Sequence, residues 1–183
     1  ILIIAPLRVA QTTWHTEAKK WEHTKDLTCS IIIGTQKQRL EASHKKADIY
    51  IINRENVKWL FEICALKFDC IVIDESSSFK NPSSKRFKTL KKQSYDYLIE
   101  LTGTPSPNSL LDLWSQIYLI DQGKRLGKSM VAYKLEHFTS DYMGYKFTPK
   151  NNGILIHKAI SDIALSMRNV DYLDLPRLIK INT

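Results

Sequence analysis

Short runs of apolar residues alternate with longer mixed stretches over the first hundred residues of the chain. Each run is continuous, and continuous apolarity indicates a strand buried on both faces, as in a parallel sheet covered by helices. The predicted strands are residues 1–5, 29–33, 49–52, 70–73 and 97–101. The predicted helices between them are residues 11–21, 37–44, 55–66 and 83–92. Strands that alternate with helices predict an α/β domain.

The pattern changes at Ser109, beyond which we predict no further buried strand. A strong apolar stripe predicts a helix from this point. The glycine, proline and paired asparagines of residues 142–153 predict a loop with room for a short hairpin, and an amphipathic helix is predicted at residues 159–167. We therefore expect a main lobe, residues 1–121, followed by a mainly helical extension, residues 122–183.

The charge balance favours a polyanionic partner such as nucleic acid. The chain has 27 Lys and Arg against 19 Asp and Glu, a net charge of +8. A solvated basic surface would have the same composition, but the basic residues crowd one short stretch. They are Lys80, Lys85, Arg86, Lys88, Lys91 and Lys92. Asn81-Pro82 within this stretch pairs a capping residue with a proline suited to open the helix predicted at 83–92.

Membrane insertion is not expected, because no run of about 18 apolar residues occurs and the apolar opening lacks a basic leader. We therefore expect a cytoplasmic protein with no membrane partner.

The ends of the predicted strands carry the candidate chemistry, since ligands of open parallel sheets bind beyond the carboxyl ends of the strands. The strand at 70–73 ends in two adjacent carboxylates, Asp74 and Glu75. Nucleotide hydrolysis needs one carboxylate to hold magnesium, usually through water, and another to orient or deprotonate the attacking water. An ordinary Asp-Glu pair at a strand end is the alternative interpretation.

The next predicted strand ends in Thr102-Gly103-Thr104. Its two hydroxyl groups could bond to the acidic pair and respond to the presence of phosphate. The turn alone is a weak signal, but it follows the acidic strand at the span of one helical crossover. That spacing favours a joint site.

Several segments in order resemble the motifs of SWI/SNF-type ATPases of the superfamily-two helicases, in their compact bacteriophage or bacterial form. Residues 74–77 resemble motif II, a DEAD/DEAH-like box, and 101–105 with Asn108 resemble motif III. Residues 5–8 with Trp14, Glu17 and Trp21 look like motif Ia and its helix. The other segments that resemble the family are Lys80-Asn81, residues 52–56 with Trp59-Leu60, residues 125–128 and residues 171–176.

The resemblance implies a RecA-like first lobe that hydrolyses ATP with Mg²⁺, binds one strand of double-stranded DNA and works against a second RecA-like lobe. Asp74 would hold the metal through water and Glu75 would act on the attacking water. Thr102, Gly103 and Thr104 would couple the site to motion. Arg8, Asn53, Arg54 and Lys80 would contact DNA, where phosphate contacts give affinity without sequence reading. Surface salt bridges remain the alternative role for Arg8 and Arg54.

The family's phosphate-binding loop has no counterpart in this chain, which resembles the P-loop NTPase fold from the strand after that loop. Residues 123–129 look similar but have three residues between the glycines where four are required. We expect this chain alone to be inactive. A non-catalytic DNA-binding module and a protein-interaction module stay open, although neither has a need for an intact Asp74, Glu75, Thr102 and Thr104.

Overall fold

The computed structural model describes residues 1–106 and 108–167. Five strands form one parallel sheet in the order β2-β3-β1-β4-β5. They are β1 (Leu2–Ala5), β2 (Cys29–Ile32), β3 (Ile49–Asn53), β4 (Cys70–Asp74) and β5 (Tyr97–Leu101). The predicted parallel sheet is confirmed, and each strand bound lies within one residue of its prediction.

Helices connect the strands and continue beyond the sheet. They are α1 (Trp14–Lys20), α2 (Gln36–His44), α3 (Val57–Ile63), α4 (Lys85–Leu90), α5 (Leu113–Asp121), α6 (Met130–His137) and α7 (Ile154–Ile160). A π-helical turn, Val9–Thr13, leads directly into α1. A small antiparallel hairpin, β6 (Phe138–Ser140) with β7 (Phe147–Pro149), lies between α6 and α7.

Two predicted helix starts were wrong. Ser84 caps α4 by accepting a hydrogen bond from the amide of Phe87, whereas Asn81 accepts from the amide of Ser83 in a turn before the helix. The helix predicted at residues 159–167 instead spans Ile154–Ile160. The preceding asparagines and Gly153 have positive φ angles, which turn the chain sharply into the helix at once.

Helices and side chains cover both faces of the central strands. On one face, Leu2, Ile4 and Ile73 pack with residues of α3, α4 and α5 in a large cluster. On the other face, Ile3 and Ile51 form a smaller cluster with residues of the turn before α1. The large cluster also contains Leu126, Tyr133, Phe138, Ile156 and Ile160. Residues on both sides of residue 121 thus share one core. The boundary between lobe and extension at residue 121 stays a prediction.

The edge strand β5 was predicted to be buried on both faces, but one of its faces is exposed. Tyr97, Ile99 and Leu101 are 69%, 49% and 42% exposed, while Leu98 between them packs on the core. Within residues 1–106 and 108–167, α5 lies against β5 on one face and no helix covers the other. Continuous apolarity therefore overestimated the burial of this strand.

Candidate active site

The carboxyl ends of the parallel strands lie at one edge of the sheet and carry the predicted site residues. β1 leads to Arg8, β3 ends at Asn53, β4 ends at Asp74 and β5 leads to Thr102. β4 lies between β1 and β5, so the acidic pair has the Arg8 segment on one side and the Thr102 segment on the other. The structure brings the predicted acidic and hydroxyl residues together.

Glu75 has a left-handed backbone, with φ 58° and ψ 60°. This conformation costs a side-chain-bearing residue about 1–2 kcal/mol, and such residues cluster at functional sites. Its carboxylate oxygen Oε1 accepts hydrogen bonds from Ser77 Oγ at 2.5 Å and from Thr102 Oγ1 at 2.9 Å. Glu75 is therefore held by two hydroxyl groups, one of which comes from the neighbouring strand.

The predicted coupling turn is joined to the acidic pair through Thr102. Its Oγ1 donates to Glu75 and also accepts from the amide of Thr104 at 3.1 Å. Thr104 itself is exposed. At Gly103, an added Cβ would meet nothing within 4 Å, so the described fold does not by itself require glycine there. The threonines thus divide into one bound to Glu75 and one exposed to solvent.

Asp74 is held by a residue from a different part of the chain. Its Oδ2 accepts a hydrogen bond from the indole Nε1 of Trp14 at 2.9 Å. No other donor among the described residues contacts this carboxylate. The sequence indicated only that Trp14 lies at the core or its edge, and its ring does pack against the smaller cluster. The hydrogen bond to Asp74 was not foreseen.

The surroundings of Asp74 fit a magnesium ion. Mg²⁺ keeps several waters and is bound through one or two carboxylates plus substrate phosphates. One oxygen of Asp74 is taken by Trp14, which leaves the other to meet a hydrated metal ion. Among the described residues, no group of three or more His, Cys, Asp or Glu side chains could hold a metal ion. A single strand-end carboxylate is thus the available anchor.

Gln116, which the sequence did not single out, connects the turn at residues 74–77 to the turn at residues 102–105. Its Oε1 accepts from Ser76 Oγ at 2.8 Å, and its Nε2 donates to the carbonyls of Pro105 at 2.6 Å and Asp112 at 2.9 Å. Gln116 and Ser76 are 3% and 0% exposed. A polar residue inside the apolar stripe of α5 was the signal that could have identified it.

We expect Gln116→Leu to lower the free energy of unfolding by about 1–3 kcal/mol, because it leaves the buried Ser76 hydroxyl and two carbonyls without this partner. Urea unfolding of the chain measures the loss. The control is Gln36→Leu, at an exposed position, which should stay within about 0.5 kcal/mol of the native chain. Equal losses in both variants would contradict a buried connecting role for Gln116.

Glu100 adds a further carboxyl group near Asp74 and Glu75, because it lies opposite Ile73 in the pairing of β5 with β4. Its Oε1 is buried and has no hydrogen-bond partner among the described residues. Burial raises the pKa of Glu100 well above its usual range. Glu100 was not foreseen from the sequence, because it lies within an apolar strand pattern.

The four predicted DNA-contacting residues differ in their surroundings. Arg8 is exposed, and its side chain has no partner among the described residues. The Arg54 guanidinium pairs with Glu55 at 3.0 Å, and the Lys80 ammonium lies 3.6 Å from Asp112. The Arg54 pair corresponds to the alternative of a surface salt bridge, whereas at Arg8 no such pair forms within the described residues. The Lys80 pair was not foreseen.

Asn53 is only 5% exposed. Its amide donates to Glu55 at 2.8 Å and its carbonyl oxygen accepts from Asn56 at 2.6 Å. These bonds hold the turn that follows β3.

Other segments that resemble family motifs have structural contacts. Arg125 pairs with Asp121 and Asp162, which raises the pKa of its guanidinium further. Leu126 is buried in the large cluster, and the carbonyl of Gly127 accepts from the indole of Trp114 at 3.0 Å. The segment predicted at residues 171–176 lies outside the described residues.

Comparison with known proteins identifies the family. The model of the SNF2-related domain matches residues 1–133. The chain belongs to the SNF2-related family. Among relatives of this SNF2-related chain, protein p41 of Acyrthosiphon pisum secondary endosymbiont phage 1 is 37% identical over 95% of this chain and 41% of its own length. An uncharacterized ATP-dependent helicase of Mycoplasma genitalium is 34% identical over 62% of this chain and 11% of its own length.

A solved structure shares the fold of this SNF2-related chain. The Sulfolobus solfataricus SWI2/SNF2 ATPase core in complex with double-stranded DNA has a TM-score of 0.73 and 27% identity, covering 96% of this chain and 36% of that one. The sheet and its helices therefore form the RecA-like fold of this ATPase family, as predicted. The chain spans about two fifths or less of the length of these relatives.

A search of the described residues for a helix long and apolar enough to cross a membrane finds none.

Proposed function

We propose that this SNF2-related chain carries the hydrolytic residues of an ATP-driven motor that moves on double-stranded DNA. The observation that carries the proposal is Glu75, held in a left-handed conformation and bonded to Thr102 across two strand ends. Bound Mg²⁺ would neutralise charge on the phosphates of ATP, and Asp74 would hold the water shell of the metal ion. Glu75 would orient or deprotonate the attacking water. Thr102, Gly103 and Thr104 would couple the hydrolytic site to motion of the motor.

The phosphates of ATP would be bound by another part of the motor. Residues 123–129 are unsuited to it, because the amides of Gly123, Lys124 and Arg125 all donate to the carboxylate of Asp121. Those amides cannot also cradle phosphate. We therefore propose that hydrolysis requires the complete motor, meaning this chain joined to a phosphate-binding loop and a second RecA-like lobe, and that the chain alone is inactive.

DNA binding is proposed to use phosphate contacts at the same edge of the sheet. Arg8 is exposed and its side chain has no partner in the described part of the chain, while Arg54 and Lys80 would exchange their carboxylate partners for phosphate. Asn53 would act by holding the turn that carries Arg54. The archaeal ATPase core bound to double-stranded DNA supports this partner. We also propose a cytoplasmic setting in a bacterial or phage-infected cell, and the phage relative supports such a host.

We expect the double variant Arg8→Ala, Arg54→Ala to bind every duplex more weakly. The slope of log affinity against log salt concentration should become shallower by about one unit for each phosphate that is no longer neutralised. Fluorescence anisotropy with a random duplex at several salt concentrations measures both effects. The matched control is Lys91→Ala, Lys92→Ala, which also removes two charges. It should have a smaller effect, because the Lys91 ammonium lies over the ring of Tyr118, 4.2 Å from its centroid.

Three outcomes would count against this proposal. Equal decreases in affinity for the two double variants would mean that binding depends on the overall positive charge and not on Arg8 and Arg54 in particular. Absence of binding even at low salt would favour a protein-interaction module built on the same fold. Binding of DNA by a complete motor that does not hydrolyse ATP would favour a non-catalytic DNA-binding module.

A further inference from the structure

The hydrogen bond between Trp14 and Asp74 joins two functional segments that are 60 residues apart in the sequence. Asp74 ends β4, whereas Trp14 begins α1, the helix that follows the Arg8 segment. Only the indole N–H can make this bond, since the rest of the ring has no donor. The contact therefore gives Trp14 a specific link to the carboxylate assigned to magnesium.

A continuous helical path connects Arg8 to Trp14. Arg8 already has helical backbone angles, and the π-helical turn Val9–Thr13 runs into α1 without a break. π-Helical turns are rare and are frequent at functional sites. Ala10 within this turn is fully buried, which fixes the turn against the sheet. A displacement of Arg8 is thus expected to reach the Trp14 indole instead of being absorbed by a flexible loop.

We propose that Trp14 is a positioning residue that orients Asp74 and transmits phosphate contact at Arg8 to the magnesium-binding carboxylate. The proposal rests on the proposed function of Asp74 and Arg8. With Oδ2 held by the indole, rotation of the carboxylate is restricted and its other oxygen is presented in one direction. Hydrogen bonds to charged groups are shorter and stronger than neutral ones, so the indole can impose this orientation.

Ring packing alone is the competing explanation for the position of Trp14. Its ring borders an apolar groove lined by Ile3, Leu27, Ile49 and Val72, so the N–H could merely take the nearest acceptor. Two other tryptophans separate the two explanations. The indole N–H of Trp59 is buried without a partner among the described residues, and that of Trp114 donates to a backbone carbonyl.

The test compares Trp14→Phe, Trp59→Phe and Trp114→Phe in the complete motor. Each variant keeps an aromatic ring and removes one indole N–H. ATP hydrolysis is measured against free Mg²⁺ concentration, with and without duplex DNA. We expect Trp14→Phe to raise the half-saturating Mg²⁺ concentration by about three- to tenfold, as loss of a partly exposed charged hydrogen bond would do. It should also lower the stimulation by DNA at least about threefold, whereas the other two variants should change neither quantity.

A second readout does not depend on activity or on a change at Trp14. The complete motor is labelled with ¹⁵N-tryptophan, and the Trp14 indole resonance is assigned by elimination with a Trp→Phe variant at every other tryptophan, including Trp21. This resonance should shift when Asp74 is replaced by Asn. It should also shift when duplex DNA is added, and Arg8→Ala should abolish the DNA-dependent shift. This experiment remains decisive if Trp14→Phe does not fold.

The failures of the two proposals are distinguishable. The positioning role is overturned if Trp14→Phe has the same half-saturating Mg²⁺ concentration as the controls, or if the Trp14 indole resonance does not shift in Asp74→Asn. DNA-stimulated hydrolysis would then still stand. If the native motor shows no DNA-stimulated hydrolysis at all, the proposed function is overturned and the positioning role falls with it.

Discussion

Replacing Glu75 by glutamine in the complete motor should lower ATP turnover about 100-fold or more while leaving ATP and DNA binding largely intact. Glutamine keeps the shape of the side chain and an oxygen that can accept from Ser77 and Thr102. It removes the carboxylate that would take a proton from water, a contribution of about 10²–10⁴-fold in general-base catalysis. Steady-state ATPase assays and nucleotide-binding titrations measure the two effects separately.

The matched control is Glu62→Gln, which neutralises an exposed glutamate of α3 whose one ion pair among the described residues is with Lys58. It should leave turnover within a factor of about two, since a surface pair contributes little. If Glu75→Gln retained activity within about tenfold, which corresponds to about 1.4 kcal/mol of barrier, Glu75 would not be the base.

Replacing Glu100 by glutamine should remove a pH dependence of stability. Burial raises the folded pKa of Glu100 well above the ordinary value of 4.5. Its contribution is therefore fully present below pH 4.5 and is lost as pH rises through the folded pKa. The unfolding free energy of the variant, relative to the native chain, should rise by up to about 1.4 kcal/mol per pH unit across this window.

Urea unfolding at half-unit pH steps from about 4 to 8 measures this difference. Glu41→Gln, which neutralises an exposed glutamate of α2, should run parallel to the native chain at every pH. Parallel curves for Glu100→Gln as well would mean that the Glu100 carboxyl ionises in the folded chain as easily as in the unfolded one.

Local patterns determined the sheet and the place of the chemistry. Runs of four or five apolar residues predicted each strand within one residue, because burial in a parallel sheet imposes continuous apolarity on consecutive positions. The acidic pair Asp74-Glu75 and Thr102 stand at strand ends, and parallel strands end at one edge. Their proximity followed from the strand pattern before any distance was known.

Local patterns failed where neighbours outside the segment decide the outcome. The sequence of β5 predicts a strand buried on both faces, but the strand lies at the edge of the sheet and one of its faces is exposed. The helix expected from residue 159 begins at Ile154 because the residues just before it have positive φ angles, a feature that periodicity does not record. Ser84 rather than Asn81 caps α4, since either residue type can cap and only the path of the chain selects one.

The sequence by itself determined the fold class, the SNF2-type motifs and the residue types available for hydrolysis. The tertiary structure decided which side chains those residues contact. The Trp14 bond to Asp74, the Gln116 connection between two turns and the pairing of Lys80 with Asp112 all depend on strand order and helix packing. Periodicity describes which face of one element is apolar, whereas contacts between residues about 40 or 60 positions apart depend on how separate elements meet.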